Sequence, residues 1–154
     1  MKSILFTLLP VLWALSAQAA DKIASIQGEI KLKYTESIFA DETFKKDFGN
    51  AVKATCNWYA GEFFGKPTVF AGIAVTNSAS KPMFFQYYVA FFDKEKNLVG
   101  TASQGSFGDE GLKPAETTQM GSCLIHLPKD KYKEIASYQA VIYETDTPPK
   151  GKMK

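Results

Sequence analysis

The sequence contains no arginine and only one histidine, and these absences remove several classes of site. All 18 basic residues are lysine, so the chain lacks the planar guanidinium that binds phosphate or carboxylate through two parallel hydrogen bonds. The single His126 excludes a three-histidine metal site and a second catalytic histidine. No Gly-x-Ser-x-Gly motif or phosphate-binding glycine loop occurs. We predict no catalytic residue, metal site or cofactor, and interpret His126 as an ordinary strand residue.

Strong net charge and a long apolar segment are also missing. The formal net charge is +2, with 18 basic and 16 acidic residues, which gives no electrostatic reason to expect nucleic acid as a partner. No stretch after residue 20 is long and apolar enough for a membrane-spanning helix. The sequence therefore predicts neither a nucleic-acid-binding protein nor a membrane span.

The N-terminus has the three parts of a secretory signal peptide. Lys2 is followed by an apolar run over residues 4–15, and Ser16 to Ala20 supply small residues around a cut after Ala19. No cysteine adjoins this cut, so a lipid anchor is not expected. We predict that residues 1–19 are removed and that the protein is periplasmic or secreted.

Cysteine is scarce, with two residues in the chain, Cys56 and Cys123. In an exported protein, an even pair of cysteines is most simply a disulfide. The alternative is a reactive or metal-binding thiol pair, but the Cys-x-x-Cys spacing is absent. We predict a disulfide between Cys56 and Cys123.

The first third of the domain has mixed signals. Residues 28–34 alternate between apolar and charged side chains, which is typical of a half-buried strand. Phe44, Phe48 and Val52 recur at a spacing of four, which favours a short helix ending near Phe48. A strand through Cys56 to Tyr59 is predicted to follow.

The sequence pattern of the remaining chain predicts strands separated by turns. Predicted strands cover residues 68–76, 83–93, 98–103, 116–127 and 137–145, with one or two helical turns over 128–136. The segment 83–93 is predicted to be central, and the polar residues 93–97 connect it to the next strand as a hairpin. The fold class is therefore all-β, with a short N-terminal helix: a two-sheet antiparallel immunoglobulin-like β-sandwich of about seven strands over residues 20–146. Residues 147–154 read as a disordered tail.

Several short motifs follow one another between Phe70 and Glu144. They are Gly72 to Asn77, Val89 to Asp93 running into Lys96 to Thr101, and Leu112 to Thr117. Together they resemble the FxLYD group of immunoglobulin-like domains of exported bacterial proteins. The chain departs from that pattern at Val89, Phe91, Phe92 and Ala115. The resemblance implies an immunoglobulin-like fold and carries no common activity.

The strand over residues 83–93 is apolar on both faces, whereas a strand of a sandwich usually has one polar, solvent-exposed face. Phe85, Tyr87 and Phe91 lie on one side; Phe84, Tyr88 and Phe92 lie on the other. Two interpretations follow for the second side. Residues 38–52 could cover it, or it could be an exposed aromatic patch that binds a partner or glycan.

Two functions fit these observations. The first is an exported, non-catalytic binding or accessory module that presents a sheet face or loops to a protein partner, or to a second copy of itself. The candidate binding face is Phe84, Tyr88 and Phe92. The second is a small periplasmic enzyme, or an enzyme inhibitor, with a site in its loops. The lack of a convergent set of histidine, cysteine and acidic residues favours the first.

Overall fold

A computed structural model describes residues 21–35, 44–106, 110–124, 127 and 130–148. Within these ranges the chain forms nine strands and one short 3-10 helix, Lys131–Glu134. The strands are β1 (Lys22–Glu29), β2 (Tyr34–Thr35), β3 (Phe44–Gly49), β4 (Val52–Phe63), β5 (Lys66–Asn77), β6 (Phe84–Phe92), β7 (Leu98–Gly105), β8 (Thr117–Cys123) and β9 (Ser137–Thr145). The predicted all-β class is confirmed.

The strands form two sheets that enclose the core. Sheet A has the order β1-β9-β6-β7, and every neighbouring pair is antiparallel. Sheet B has the order β2-β4-β5-β8, and β3 also pairs with β4. The pairing of β2 with β4 is parallel, and the other pairs in sheet B are antiparallel. The predicted two-sheet sandwich is therefore confirmed, with nine strands rather than about seven.

The strand order follows that of an immunoglobulin-like sandwich, except that β1 replaces one strand and β2 and β3 are added at the edge of β4. In sheet B, β4, β5 and β8 take the positions of strands A, B and E. In sheet A, β7, β6 and β9 take those of C′, C and F. β1 pairs antiparallel with β9, where strand G would lie. Strand G normally follows F in the chain, whereas β1 precedes all the other described strands.

β6 is a central strand, as the sequence predicted. It pairs with β9 on one side and with β7 on the other. Its inward side chains are at most 2% exposed: Phe85, Tyr87, Val89 and Phe91. The predicted hairpin at residues 93–97 is present, where the carboxylate of Asp93 accepts a hydrogen bond from the backbone N–H of Asn97 at 2.8 Å.

An aromatic cluster fills the space between the sheets. Trp58 of β4 stacks on Phe44, with ring centroids 4.9 Å apart. It also makes edge contacts with Tyr138 of β9 at 4.8 Å and Phe91 of β6 at 5.2 Å. Trp58 itself has no exposed surface. These rings join β3 and β4 of sheet B to β6 and β9 of sheet A.

The strand predicted over residues 28–34 is wrong in its bounds. β1 ends at Glu29, and residues 30–33 cross from sheet A to β2 in sheet B. The alternation that suggested a strand is nevertheless present in the burial, because Ile30 and Leu32 are buried whereas Lys31 and Lys33 are exposed. One side of this crossing segment faces the core, so alternation arises here without a ladder of hydrogen bonds.

The short helix predicted to end near Phe48 is also wrong in the part that the structure describes. Residues 44–49 form β3, which pairs with β4. A spacing of four residues repeats on one face of a strand as well as of a helix, so Phe44 and Phe48 fit both. Gly49 then begins the turn into β4 with a φ of 109°, where a Cβ would lie 2.1 Å from the carbonyl oxygen of Val52.

A buried carboxylate connects β9 to the turn between β3 and β4. Glu144 is 1% exposed and faces the interior at the end of β9. Its Oε1 accepts the backbone N–H of Asn50 at 2.9 Å, and its Oε2 accepts that of Val52 at 2.7 Å. Both carboxylate oxygens are therefore used to attach sheet A to sheet B.

Candidate binding surface

The structure separates the three residues of the candidate binding face. All three side chains alternate with the core residues of β6 and so lie on the outer side of sheet A. Tyr88 is 53% exposed and Phe92 is half-buried, whereas Phe84 is only 4% exposed. Tyr88 and Phe92 are therefore available at the surface, and Phe84 is not.

Phe84 is covered by the loop that precedes β8. Met83 forms an isolated β-bridge with Leu112, which holds this loop against the start of β6. Gly111 has a φ of 65°, and a Cβ there would lie 3.1 Å from Cζ of Phe84. Phe84 is thus part of a loop contact, and its assignment to the binding face is corrected.

The register of sheet A defines what surrounds Tyr88. Tyr88 lies opposite Ser103 of β7 and Val141 of β9, and Val141 in turn lies opposite Ser25 of β1. Thirteen outward positions of the four strands form what we name the neutral face. They are Ile23, Ser25, Gln27, Gln86, Tyr88, Ala90, Phe92, Leu98, Thr101, Ser103, Gln139, Val141 and Tyr143.

None of these thirteen positions carries a charged side chain, and the next outward position of β1, Glu29, ends the face with a carboxylate. The neutral face also holds three of the four large hydrophobic residues that are exposed in the described part of the chain. These are Ile23 at 69%, Leu98 at 60% and Tyr88 at 53%. A hollow of about 600 Å³ lies beside Tyr88, lined by hydroxyl, amide and apolar groups that include Thr101 and Gln139.

Charged groups lie at the two ends of this face. At one end, Tyr143 and Thr145 donate hydrogen bonds that lower the pKa of the Asp21 carboxyl below its ordinary value. The same hydrogen bond to Asp21 raises the pKa of the Tyr143 hydroxyl. At the other end are Glu29 and Lys96, beside Phe92. The arrangement is an uncharged centre with polar and charged margins.

The alternative that residues 38–52 cover the outer side of β6 is wrong for the part that the structure describes. Phe44 of β3 stacks on Trp58 and makes an edge contact with Tyr138 at 5.1 Å, both inside the sandwich. β3 is an edge strand of sheet B. Residues 44–52 therefore leave Tyr88 uncovered, and residues 38–43 lie outside the described ranges.

The predicted disulfide is not formed, and both cysteines are free thiols. Cys56 lies opposite Ile73 of β5 and faces the core, whereas Cys123 lies opposite Phe70, which is on the outer side of sheet B. Two strand spacings separate β4 from β8, which is about 10 Å and beyond the reach of a disulfide. The prediction rested on counting cysteines, and the register overturns it.

Neither thiol is in a setting that favours the thiolate. Burial raises the pKa of the Cys56 thiol to about 12, and its Sγ lies 4.0 Å from the hydroxyl of Tyr87. Burial also raises the pKa of Cys123. A reactive cysteine usually has a lowered pKa. Neither thiol therefore has the lowered pKa that is typical of a reactive cysteine.

Some sequence predictions fall on residues that the structure does not describe. His126, the signal peptide 1–19 and residues 149–154 of the tail lie outside the described ranges. Within those ranges, no three or more histidine, cysteine, aspartate or glutamate side chains come together in a way that could hold a metal ion. The same part of the chain contains no helix of sufficient length and apolar character to cross a membrane.

Sequence reasoning missed two important residues of the neutral face. Ile23 was outside the predicted strands, because the alternation of apolar and charged residues placed the start of the first predicted strand at residue 28. Leu98 was placed in a strand, but only the register with Phe92 shows which side it faces. No sequence signal marks β1, because neither of its faces is uniformly apolar; the alternation of exposed and partly buried residues is visible only in the fold.

No known family matches this chain and no curated protein matches it. Four chains of solved structures share a distant likeness, among them the following two. A structure of infectious bursal disease virus, Gx strain, matches 87% of this chain and 29% of that chain, with 10% identity and a TM-score of 0.37. The enzymatically active domain of tailspike protein 4 from bacteriophage CBA120 matches 80% of this chain and 17% of that chain, with 12% identity and a TM-score of 0.27. The chain spans less than a third of either protein, and likenesses at this level carry no conclusion about function. The resemblance to the FxLYD group stays a prediction.

Proposed function

We propose that the chain is an exported, non-catalytic binding module, and that the neutral face of sheet A docks a protein partner. The observation that carries the proposal is the absence of charge from this face together with the exposure of Ile23, Tyr88 and Leu98. The centres of protein interfaces are depleted of charged residues and enriched in aromatic ones. The register places Ile23 and Leu98 at opposite corners of the face, with Tyr88 between them, so the uncharged surface extends across all four strands of sheet A.

The chemistry of the face fits contact better than catalysis. Its polar groups are amides and hydroxyls, such as Gln139, Thr101 and Ser103. These groups can donate and accept hydrogen bonds with a partner, while Tyr88 supplies a large ring with a polar end near the centre. Tyrosine is also frequent among the residues that dominate binding energy.

The experiment compares two charged substitutions at exposed aromatic residues. Tyr88→Lys places a charge in the centre of the neutral face. Phe64→Lys is the matched control, because Phe64 is 91% exposed and lies in the turn between β4 and β5, away from that face. Each protein carries a photo-crosslinker at Ser103 and is incubated with the exported fraction of its own cell.

We expect a defined crosslinked partner with the wild type and with Phe64→Lys, and its loss with Tyr88→Lys. Both variants should keep the wild-type melting point, since exposed substitutions change stability by about 0.5 kcal/mol or less. Sedimentation of the purified protein tells a second copy of the chain from another protein. Equal crosslinking by both variants would contradict the proposal. Export itself is tested by intact mass, which should correspond to a chain beginning at Ala20.

A further inference from the structure

A cleft with many lysines lies at the end of the sandwich where β1 finishes. Its volume is about 630 Å³, and its lining includes four lysines, which we name the lysine cleft: Lys31, Lys94, Lys96 and Lys133. The buried Ile30 and Ile135 form its floor. Half of the eight lining residues are lysine, compared with 18 of 154 in the whole chain, so the lysines are concentrated here.

Backbone hydrogen bonds fix three segments side by side around the cleft. The N–H of Ile30 donates to the carbonyl of Ala136 at 3.0 Å, and the N–H of Ala136 donates to the carbonyl of Phe92 at 2.8 Å. The end of β1, the segment before β9 and the β6–β7 hairpin are therefore held together. Lysines that are distant in sequence are brought to one place by ordinary sheet and turn bonds.

One of the lysines is also held by its side chain. Nζ of Lys96 donates to Oγ of Ser137, the first residue of β9, at 3.1 Å. Its backbone has a φ of 66°, a conformation that is uncommon for a residue other than glycine. The turn thus directs Lys96 toward β9, where it faces the cleft.

The positive charge of the cleft is only partly neutralised. Lys133 forms an ion pair with Asp130 at 3.0 Å. Lys31, Lys94 and Lys96 form no ion pair with any residue that the structure describes. Glu29 is the single carboxylate in the lining.

Two acidic residues close to the cleft are already engaged with other groups. Asp93 accepts hydrogen bonds from Asn97, which lower the pKa of its carboxyl. Glu134 pairs with Lys131. Glu95, at the tip of the hairpin, is exposed. Three of the four lysines are therefore left without an ion-pair partner among the described residues, and the lining, with four lysines and one glutamate, attracts an anion.

We propose that the lysine cleft binds a small multivalent oxyanion, a molecule that carries phosphate groups or clustered carboxylates. Lysine presents a compact charge with three donors, which suits an oxyanion without the two-pronged geometry that arginine would need. The floor of Ile30 and Ile135 removes water from one side of the ligand, which strengthens each charge interaction. This proposal is independent of the partner of the neutral face.

The test is a titration of the full mature chain with two probes, pyrophosphate and citrate, followed by amide NMR shifts and calorimetry. The cleft variant is the double substitution Lys31→Gln/Lys96→Gln. The matched control is Lys45→Gln/Lys53→Gln, because these exposed lysines lie on β3 and β4 of sheet B and the change in charge is equal. The single substitution Lys94→Gln, at the hairpin tip, is a second cleft variant for which folding is not at issue.

We expect saturable binding with shifts confined to residues 29–31, 93–97 and 133–137. The cleft double variant should bind about tenfold more weakly, while the control double variant keeps wild-type affinity. Preference for pyrophosphate or for citrate identifies phosphate or carboxylate as the ligand group, and either supports the site. No saturable binding of either probe, or equal weakening in both double variants, would overturn it. Tyr88→Lys should leave anion binding unchanged. The test of the lysine cleft can therefore fail or succeed separately from the test of the neutral face.

Discussion

The indole Nε1 of Trp58 donates a hydrogen bond to the hydroxyl of Tyr87 at 2.9 Å, in the centre of the core. Trp58 belongs to β4 of sheet B and Tyr87 to β6 of sheet A, and neither has exposed surface. The bond therefore joins the two sheets through polar atoms that no water reaches. In the described part of the chain, no buried side-chain nitrogen or oxygen lacks a partner.

Replacing Tyr87 with phenylalanine should destabilise the fold by about 1–3 kcal/mol, because the indole N–H of Trp58 would then be buried without an acceptor. Urea unfolding measures the change. Tyr88→Phe is the control at the adjacent position, where the side chain is 53% exposed. Its effect should be about 0.5 kcal/mol or less. Similar losses in the two variants would show that the buried bond has no special role.

The buried carboxylate of Glu144 leads to a second prediction. Glu144→Gln keeps the shape of the side chain but converts one acceptor oxygen into an N–H₂ donor, which cannot accept from Asn50 or Val52. We expect a loss of about 1.5–3 kcal/mol, the range for hydrogen bonds to charged groups. Glu62→Gln on β4 is exposed and serves as the control. A free energy of unfolding equal to that of the control would contradict the assigned contact.

Both cysteines should be free thiols in the mature protein. Alkylation in denaturant without reductant should add two labels, as read by intact mass, and a reductant should not raise the number. In the native state, labelling of Cys56 should stay slow up to about pH 10, since a pKa raised to about 12 leaves little thiolate below that pH. If the chain takes up no label before reduction, the disulfide between Cys56 and Cys123 is formed after all.

Hydrogen exchange should separate the strands of sheet A. Amides of residues 87–91 in β6 should be among the slowest, because this strand is paired on both sides and its inward side chains are buried. Outer amides of β1 and β7 should exchange sooner, as these strands end the sheet. Rapid exchange at residues 87–91 would contradict the central position of β6.

The strands from β5 to β9 could be predicted because their periodicity and their turn residues agree. Residues 93–97 are polar and lie between two apolar runs, which leaves a hairpin as the simple solution. β3 could not be identified, because a spacing of four suits both helix and strand and only pairing with β4 decides between them. A local sequence pattern identifies an element when only one kind of secondary structure fits the pattern. It fails when both helix and strand fit it.

The candidate surface was recognised only at its centre. Tyr88 was identified from the two apolar sides of its strand, but the cover over Phe84 comes from a loop whose position no local pattern encodes. The prediction of a disulfide was wrong for a related reason, because the number of cysteines does not show which side of a sheet each one faces. The lysine cleft was missed entirely, since its members come from three segments that only the fold brings together.

The position of β1 has a consequence for how this chain folds. Lys22 pairs with Glu144 and Glu29 with Ser137, so the first strand finds its partner only when the last strand is available. Until then β6 lacks its neighbour β9, and the partly buried Ala24 and Ile26 of β1 have no core to pack against. Contacts between distant parts of a sequence slow folding. Because β1 and β9 come from the two ends of the domain, sheet A is complete only when the whole sequence between them is available, and the two ends become ordered together.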